Sequence, residues 1–137
     1  MRSLLWPHCT SEHHVTEMHA YFSNGGALAT FVASDADGSL RGFIEASLRP
    51  CAEGCTTHPV AYIEGIFVEP TFRRRGIARG LVAAVEQWGA AAGCIEFASD
   101  CHTHNETSIR FHQSIGFGII KELVHFRCAI RNETGNT

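Results

Sequence analysis

The run Arg73-Arg74-Arg75-Gly76-Ile77-Ala78 gathers residue types that bind phosphate, because it lies between a β-branched, aromatic run and a long alanine-rich run with helical spacing. At the start of a helix, the first-turn N–H groups have no intrahelical partner and carry the positive end of the helix dipole. They receive an anion without side-chain help. Gly76 lets a diphosphate approach the backbone, and the small Ala78 avoids crowding it. The same letters also describe a solvated basic turn before an ordinary helix, so context has to decide.

Proton transfer and cation binding have three candidates. Glu64 lies inside an otherwise apolar strand, where a carboxylate is costly unless it meets a cation or water, and partial burial raises a carboxyl pKa toward a useful range. It is the first choice of proton acceptor, against a reading as an edge-facing or loop-paired glutamate. Asp100 closes the next strand at the carboxyl end, where ligands of open α/β sheets gather; it binds a cation or caps the following turn. His112, on the last helix, can supply a proton near neutral pH or serve only in packing. Cys101-His102-Thr103-His104 invites a metal, but there is no Cys-x-x-Cys pair and no His at i and i+4 on one helix. No metal is expected. A Cys101 acetyl-enzyme is disfavoured as well, because no base is fixed beside that thiol.

The elements that must position these groups are legible along the chain. Glu12 to Tyr21 reads as a short helix with Ser11 as N-cap, and Ala27 to Ala33 as a strand. Ser34-Asp35-Ala36-Asp37-Gly38 is a hairpin turn into an antiparallel partner over Leu40 to Leu48. Pro50 to Pro59 is a loop, and Val60 to Val68 is a strand buried on both faces. Ile77 to Ala92 is an amphipathic helix with Ile77, Leu81, Val85 and Trp88 on one face, closed by Gly93. Cys94 to Ser99 is a short buried strand, Asn105 to Ile115 a helix ended by Gly116, and Ile119 to Ile130 a final extended segment with Val124 and Phe126 on one face. Arg131 to Thr137 reads as a frayed tail. The order is that of a mixed α/β (α+β) fold, with parallel strands joined by the later helices.

With 137 residues and 45% hydrophobic content, the chain fits a single domain spanning 1–137 with a sizeable core. A formal charge of −3 disfavours nucleic acid as a partner and suits a cationic substrate. No stretch is long and apolar enough to span a membrane, and the amino end carries no signal segment, so the six cysteines are expected to be reduced and the protein cytoplasmic.

Ile66-Phe67-Val68-x-Pro70 followed by Arg73-x-x-Gly76-x-Ala78 resembles the acetyl-CoA signature of the GNAT N-acetyltransferase superfamily. Asn105-x-x-Ser108-x-x-x-His112-x-x-x-Gly116-Phe117 is similar to its second signature. Leu5-Trp6-Pro7, Gly42 to Arg49, Ile63-Glu64-Gly65-Ile66-Phe67-Val68 and Ala98-Ser99-Asp100 resemble the bacterial aminoglycoside 6'-N-acetyltransferase branch. The resemblance implies a GNAT acyl-CoA N-acyltransferase fold and a mixed central sheet with flanking helices. The branch normally carries roughly another strand and most of a helix before Leu5-Trp6-Pro7, so the first strand of that fold is expected to be missing here, with either a start upstream or an adapted fold. It implies acetyl-CoA as cosubstrate, direct transfer in a ternary complex, and a homodimer.

By the same resemblance, backbone groups of Ile66, Phe67 and Val68 pair with the pantetheine arm. Arg73, Arg74, Arg75, Gly76, Ile77, Ala78 and Arg79 hold the pyrophosphate, while Asn105 and Ser108 touch the cofactor from the far side. A free N–H near Ile66 is the natural oxyanion donor. Many members place a tyrosine where this chain has His112. Trp6 would form part of the acceptor wall, or simply pack, with Glu64 and Asp100 on the amines. Loop 50–53 lacks the tyrosine of close relatives, and the acidic residues usual after Gly116-Phe117 are replaced by Gly118-Ile119-Ile120-Lys121; both changes fall on the acceptor side. A polyamine or protein amine is the alternative acceptor, and a non-catalytic binding domain the alternative of another class.

Overall fold

The computed structural model describes residues 1–23, 25–120 and 124–129. Two helices, α1 (Arg2–Leu5) and α2 (Ser11–Ser23), precede strands β1 (Leu28–Ser34), β2 (Leu40–Arg49) and β3 (Val60–Val68). A 3-10 turn at Pro70–Phe72 leads to α3 (Ile77–Ala91), followed by β4 (Phe97–Ser99) and α4 (Glu106–Ser114). The sheet order is β1-β2-β3-β4, with the first three antiparallel and β4 parallel to β3. This is the expected mixed sheet with flanking helices.

Binary patterning explains which face is which. Ile44, Ala46 and Ile63 point to one side and form the core with Leu81, Val82 and Val85 of α3. Ile44 and Val85 are fully buried, each contributing about 1.5–3 kcal/mol by leaving water. Ile77, Ala78 and Trp88 pack at the edge of this core, so the expected α3 face is present with Val82 and Gly89 added. Gly89 lets the helix close on the sheet, since a Cβ there would stand 2.8 Å from that of Ala61.

Four expectations need correction. Ser11 lies inside α2, and the cap is Thr10, whose Oγ1 accepts from the His13 N–H at 3.2 Å. The strand expected over Cys94–Ser99 is confined to Phe97–Ser99, because Cys94 N–H bonds back to the Gly89 carbonyl and the Glu96 carboxylate turns to hold the N–H groups of Thr56 and Thr57. Asn105 and Ile115 flank α4 rather than belong to it. The final extended segment forms no strand at its described residues 119–120 and 124–129; Val124 is 78% and Phe126 92% exposed, without a sheet face to bury them. Its residues 121–123 and 130, and the tail 131–137, lie outside the described residues.

His14 of α2 is only 6% exposed, and neither ring nitrogen has a hydrogen-bond partner among the described residues. A buried donor and acceptor left unpaired cost about 1–3 kcal/mol. We expect His14→Leu, which keeps the volume and removes the polar atoms, to raise stability by about 1 kcal/mol or more in denaturant titration.

Candidate active site

The site is built on a mismatch between neighbouring strands. β4 pairs with β3 only through Ala61↔Phe97, Tyr62↔Ala98 and Ile63↔Ser99, while β3 continues to Val68 against β2 alone. The β2–β3 register also slips here, with Glu45 opposite Gly65 and Ala46 opposite Ile63, which leaves Glu64 as the extra residue of a bulge. Bulges bend a strand and re-aim a side chain. Past this point Ile66 and Phe67 present main-chain groups along a free edge, available to an extended amide-bearing chain. The Val68 carbonyl is engaged by Arg73 Nε at 3.0 Å, so Arg73 braces the strand end.

At the far end of this edge the chain makes the expected cradle. Arg74 has φ 63° and Gly76 φ 82°, while Arg75 between them does not enter the left-handed region. Alternating hands make successive N–H groups converge into a concave anion nest. Gly76 is the N-cap of α3 and supplies no side-chain cap, so the first-turn N–H groups of Ile77, Ala78 and Arg79 keep no side-chain partner from the cap position. The Arg75 guanidinium lies over the Phe72 ring at 4.9 Å. These residues fit a diphosphate: backbone donors, a helix dipole and open space at Gly76 coincide.

On the sheet face opposite α3, a cleft of about 350 Å³ opens beside the bulge, lined by Arg2, Trp6, Glu17, Tyr21, Glu45 and Glu64 among others. Glu64 Oε1 accepts from Ser47 Oγ and, at 3.1 and 2.8 Å, from Arg49 Nε and Nη2, whereas Oε2 receives only Arg49 Nη2 at 2.9 Å. The carboxylate inside the apolar strand has therefore met its cation. Arg49 in turn stacks on Tyr62 at 3.4 Å, and the Tyr62 hydroxyl donates to Asp100. Burial, then the hydrogen bond to Asp100, pushes the Tyr62 phenol well above its ordinary pKa, so it stays a donor.

Glu45, 2% exposed, faces Arg2 Nε at 2.8 Å, and Arg2 Nη2 also reaches Glu17 at 2.8 Å. Burial pushes the Glu45 carboxyl above the usual carboxylate range, with Arg2 opposing and Glu17 and Glu64 reinforcing the shift. The Tyr21 phenol is also raised, first by burial and then by Glu45 and Glu64. Trp6 lines the cleft and packs, with Phe43 edge-on at 6.2 Å and the Arg2 guanidinium at 4.7 Å. A Cβ at Gly65 would collide with its ring.

On the other face, Asn105 Oδ1 caps α4 by accepting from Ser108 N–H at 3.1 Å. The Ser108 carbonyl lies 2.7 Å from His112 Nδ1, and His112 Nε2 lies 2.9 Å from Ser99 Oγ. Asn105 and Ser108 thus serve α4 itself in this structure, and His112 is tied to the tip of β4.

A sheet splayed at a bulge, leading from a glycine anion nest to a pocket of carboxylates, has a match among known families. The Acetyltransferase (GNAT) family model matches residues 1–117. This chain belongs to the GNAT acetyltransferase family. Aminoglycoside N(6')-acetyltransferase type 1 of Salmonella typhimurium is 40% identical over 128 residues, 93% of this chain and 87% of that protein. The enzyme of the same name from Klebsiella aerogenes is 40% identical over 129 residues, 93% of this chain and 85% of that one. Among solved structures, AAC(6')-Iy in complex with the bisubstrate analogue CoA-S-monomethyl-acetylneamine superposes with a TM-score of 0.89 at 39% identity, over 95% of this chain and 88% of that one. AAC(6')-Ih from Acinetobacter baumannii gives 0.87 at 38% identity, over 94% and 87%.

Within this GNAT chain the structure brings Trp6 and Glu64 into one cleft, with Asp100 attached through Tyr62 and Arg49, and places the 73–79 turn at the other end of the free edge. The sequence assigned no site role to Arg2, Glu17, Tyr21 or Tyr62, nor to Glu45, Ser47, Arg49 and Ser99, which entered only as members of the stretches that carry the resemblance. A signal for some of them was present: Glu45, Ser47 and Arg49 alternate with Ile44, Ala46 and Leu48, a polar row at period two inside a buried strand. No metal-binding cluster of His, Cys, Asp and Glu occurs among the described residues.

Two substitutions test this geometry. Gly76→Val, at a φ that β-branched residues avoid, should weaken CoA binding about 5- to 30-fold by calorimetry, through strain of about 1–2 kcal/mol in the nest. Gly65→Ala should cost about 1–3 kcal/mol of stability by overpacking Trp6 and raise KM for the amine more than for acetyl-CoA in steady-state assays.

Proposed function

We propose that this GNAT domain, residues 1–137, transfers acetyl from acetyl-CoA to the 6'-amino group of an aminoglycoside and so confers resistance to the antibiotic. The observation that carries this reading is the carboxylate-rich cleft opening on the free edge of β3 next to the anion nest. Polycationic amino sugars match a pocket holding Glu17, Glu45 and Glu64, and relatives at 40% identity bear that activity in their names.

Diphosphate binds at the 74–79 nest and the pantetheine amides at the Ile66–Val68 edge, which places the thioester near the bulge. Carboxylates of the cleft hold the ammonium groups, and Glu64, fixed by Ser47 and Arg49, accepts the proton of the attacking amine through its less occupied Oε2. A main-chain N–H near Ile66 stabilises the oxyanion. Asp100, joined to this group through Tyr62, adds negative charge at the rim.

We also place the enzyme in the cytoplasm, in keeping with six free cysteines, and as a homodimer, in keeping with exposed Ile119, Ile120, Val124 and Phe126. No helix among the described residues is long and apolar enough to cross a membrane.

A thiol-release assay with acetyl-CoA against kanamycin, spermidine and a lysine peptide tests the acceptor class. Release with kanamycin alone is expected; preference for spermidine or the peptide would replace the aminoglycoside reading. Glu64→Gln should lower kcat about 100-fold with less than a twofold change in acetyl-CoA affinity, and equal turnover would remove Glu64 from the base role.

A further inference from the structure

The proton acceptor and the leaving sulfur need different groups, and the sheet separates them. Residues paired in a parallel ladder present their side chains to the same face. Ser99 is paired with Ile63, which is buried in the core against α3, so Ser99 projects to the α3–α4 side. The cleft holding Glu64 lies on the opposite side, and β4 ends at Ser99, so this hydroxyl stands at the apex of the splay where the two sides communicate.

His112 fixes that hydroxyl. Its Nδ1 stands 2.7 Å from the Ser108 carbonyl and 3.3 Å from the Ser108 hydroxyl; the shorter contact is to an oxygen that only accepts, which assigns the proton to Nδ1. Nε2, 2.9 Å from Ser99 Oγ, then accepts from the hydroxyl in the neutral ring and donates to it in the imidazolium. Phe111 and Phe117, edge-on at 5.7 and 5.2 Å, wedge the ring in place.

Resting on the acetyl-transfer reading, we propose that Ser99 is the catalytic proton donor to the departing CoA sulfur, with His112 as the positioning residue that re-protonates it. As the C–S bond breaks and its electron pair passes to sulfur, the Ser99 Oγ–H proton moves to that sulfur. The Nε2–H proton of imidazolium His112 moves to Oγ in the same step. His112 is left neutral with Nδ1–H still on Ser108, and takes its next proton from solvent. The serine hydroxyl is regenerated, and the products are the amide and CoA thiol.

The test compares acetyl-CoA with its selenoester analogue, whose selenolate is a much weaker base and departs without a proton. Ser99→Ala and His112→Phe should each lower kcat on acetyl-CoA about 100-fold, with KM for acetyl-CoA within about threefold, and the double variant should be no slower than either single one. On the selenoester both should approach the wild-type rate, whereas a merely structural role would slow both substrates alike. Ser99→Thr, which keeps the hydroxyl, should recover most of the lost rate. Wild-type turnover by Ser99→Ala, or an equal penalty on thioester and selenoester, would overturn the proposal. Should wild type release no thiol with kanamycin, the acceptor reading falls by itself, and the same comparison is made on acetyl transfer to the amine that is accepted, or to water.

Discussion

From Gly65 to Val68, strand β3 is hydrogen-bonded to β2 on one edge and has no strand on the other among the described residues. Buried main-chain donors and acceptors demand partners, so an open edge inside a sheet is sustained only where a ligand or water completes it. The bulge at Glu64 creates that opening by bending β3 away from β4 just after Ile63. The anion nest at one end and the carboxylate cleft at the other are useful because this edge connects them.

Charge in the cleft is arranged as linked pairs. Arg49 holds Glu64 and Arg2 holds Glu45 and Glu17, so each buried or half-buried carboxylate has a cation, and the group as a whole keeps an excess of acid. Removing one partner from such a pair leaves an uncompensated charge, which costs more than the pair itself contributes. The shift of Glu45 above the carboxylate range shows burial outweighing its arginine. Arg49 reaches further, because its stacking on Tyr62 joins the Glu64 end of the cleft to Asp100 at the tip of β4.

Most of the architecture was legible because local signals and burial agree. The hairpin turn, the α3 face from Ile77 to Trp88 and the glycine stop at Gly116 all follow from spacing and backbone preference. The cap at Thr10 was misplaced by one residue because Ser11 has the same chemistry, and only the hydrogen bond to His13 N–H distinguishes them. The apolar content of Ile119 to Ile130 resembled a strand, yet period-two hydrophobicity does not supply a neighbour, and the described residues 119–120 and 124–129 pair with none. In the site, Trp6 and Glu64 could be picked as isolated residues. Arg2 could not, since its partners Glu17 and Glu45 lie 15 and 43 positions away and meet it only through the packing of α1 and α2.

The hollow over Gly65 is filled by Leu5 and Trp6, while Arg2 bridges Glu45 and Glu17. Residues Arg2, Leu5 and Trp6 therefore wall the cleft from outside the sheet, so its shape depends on a short segment that contributes no strand.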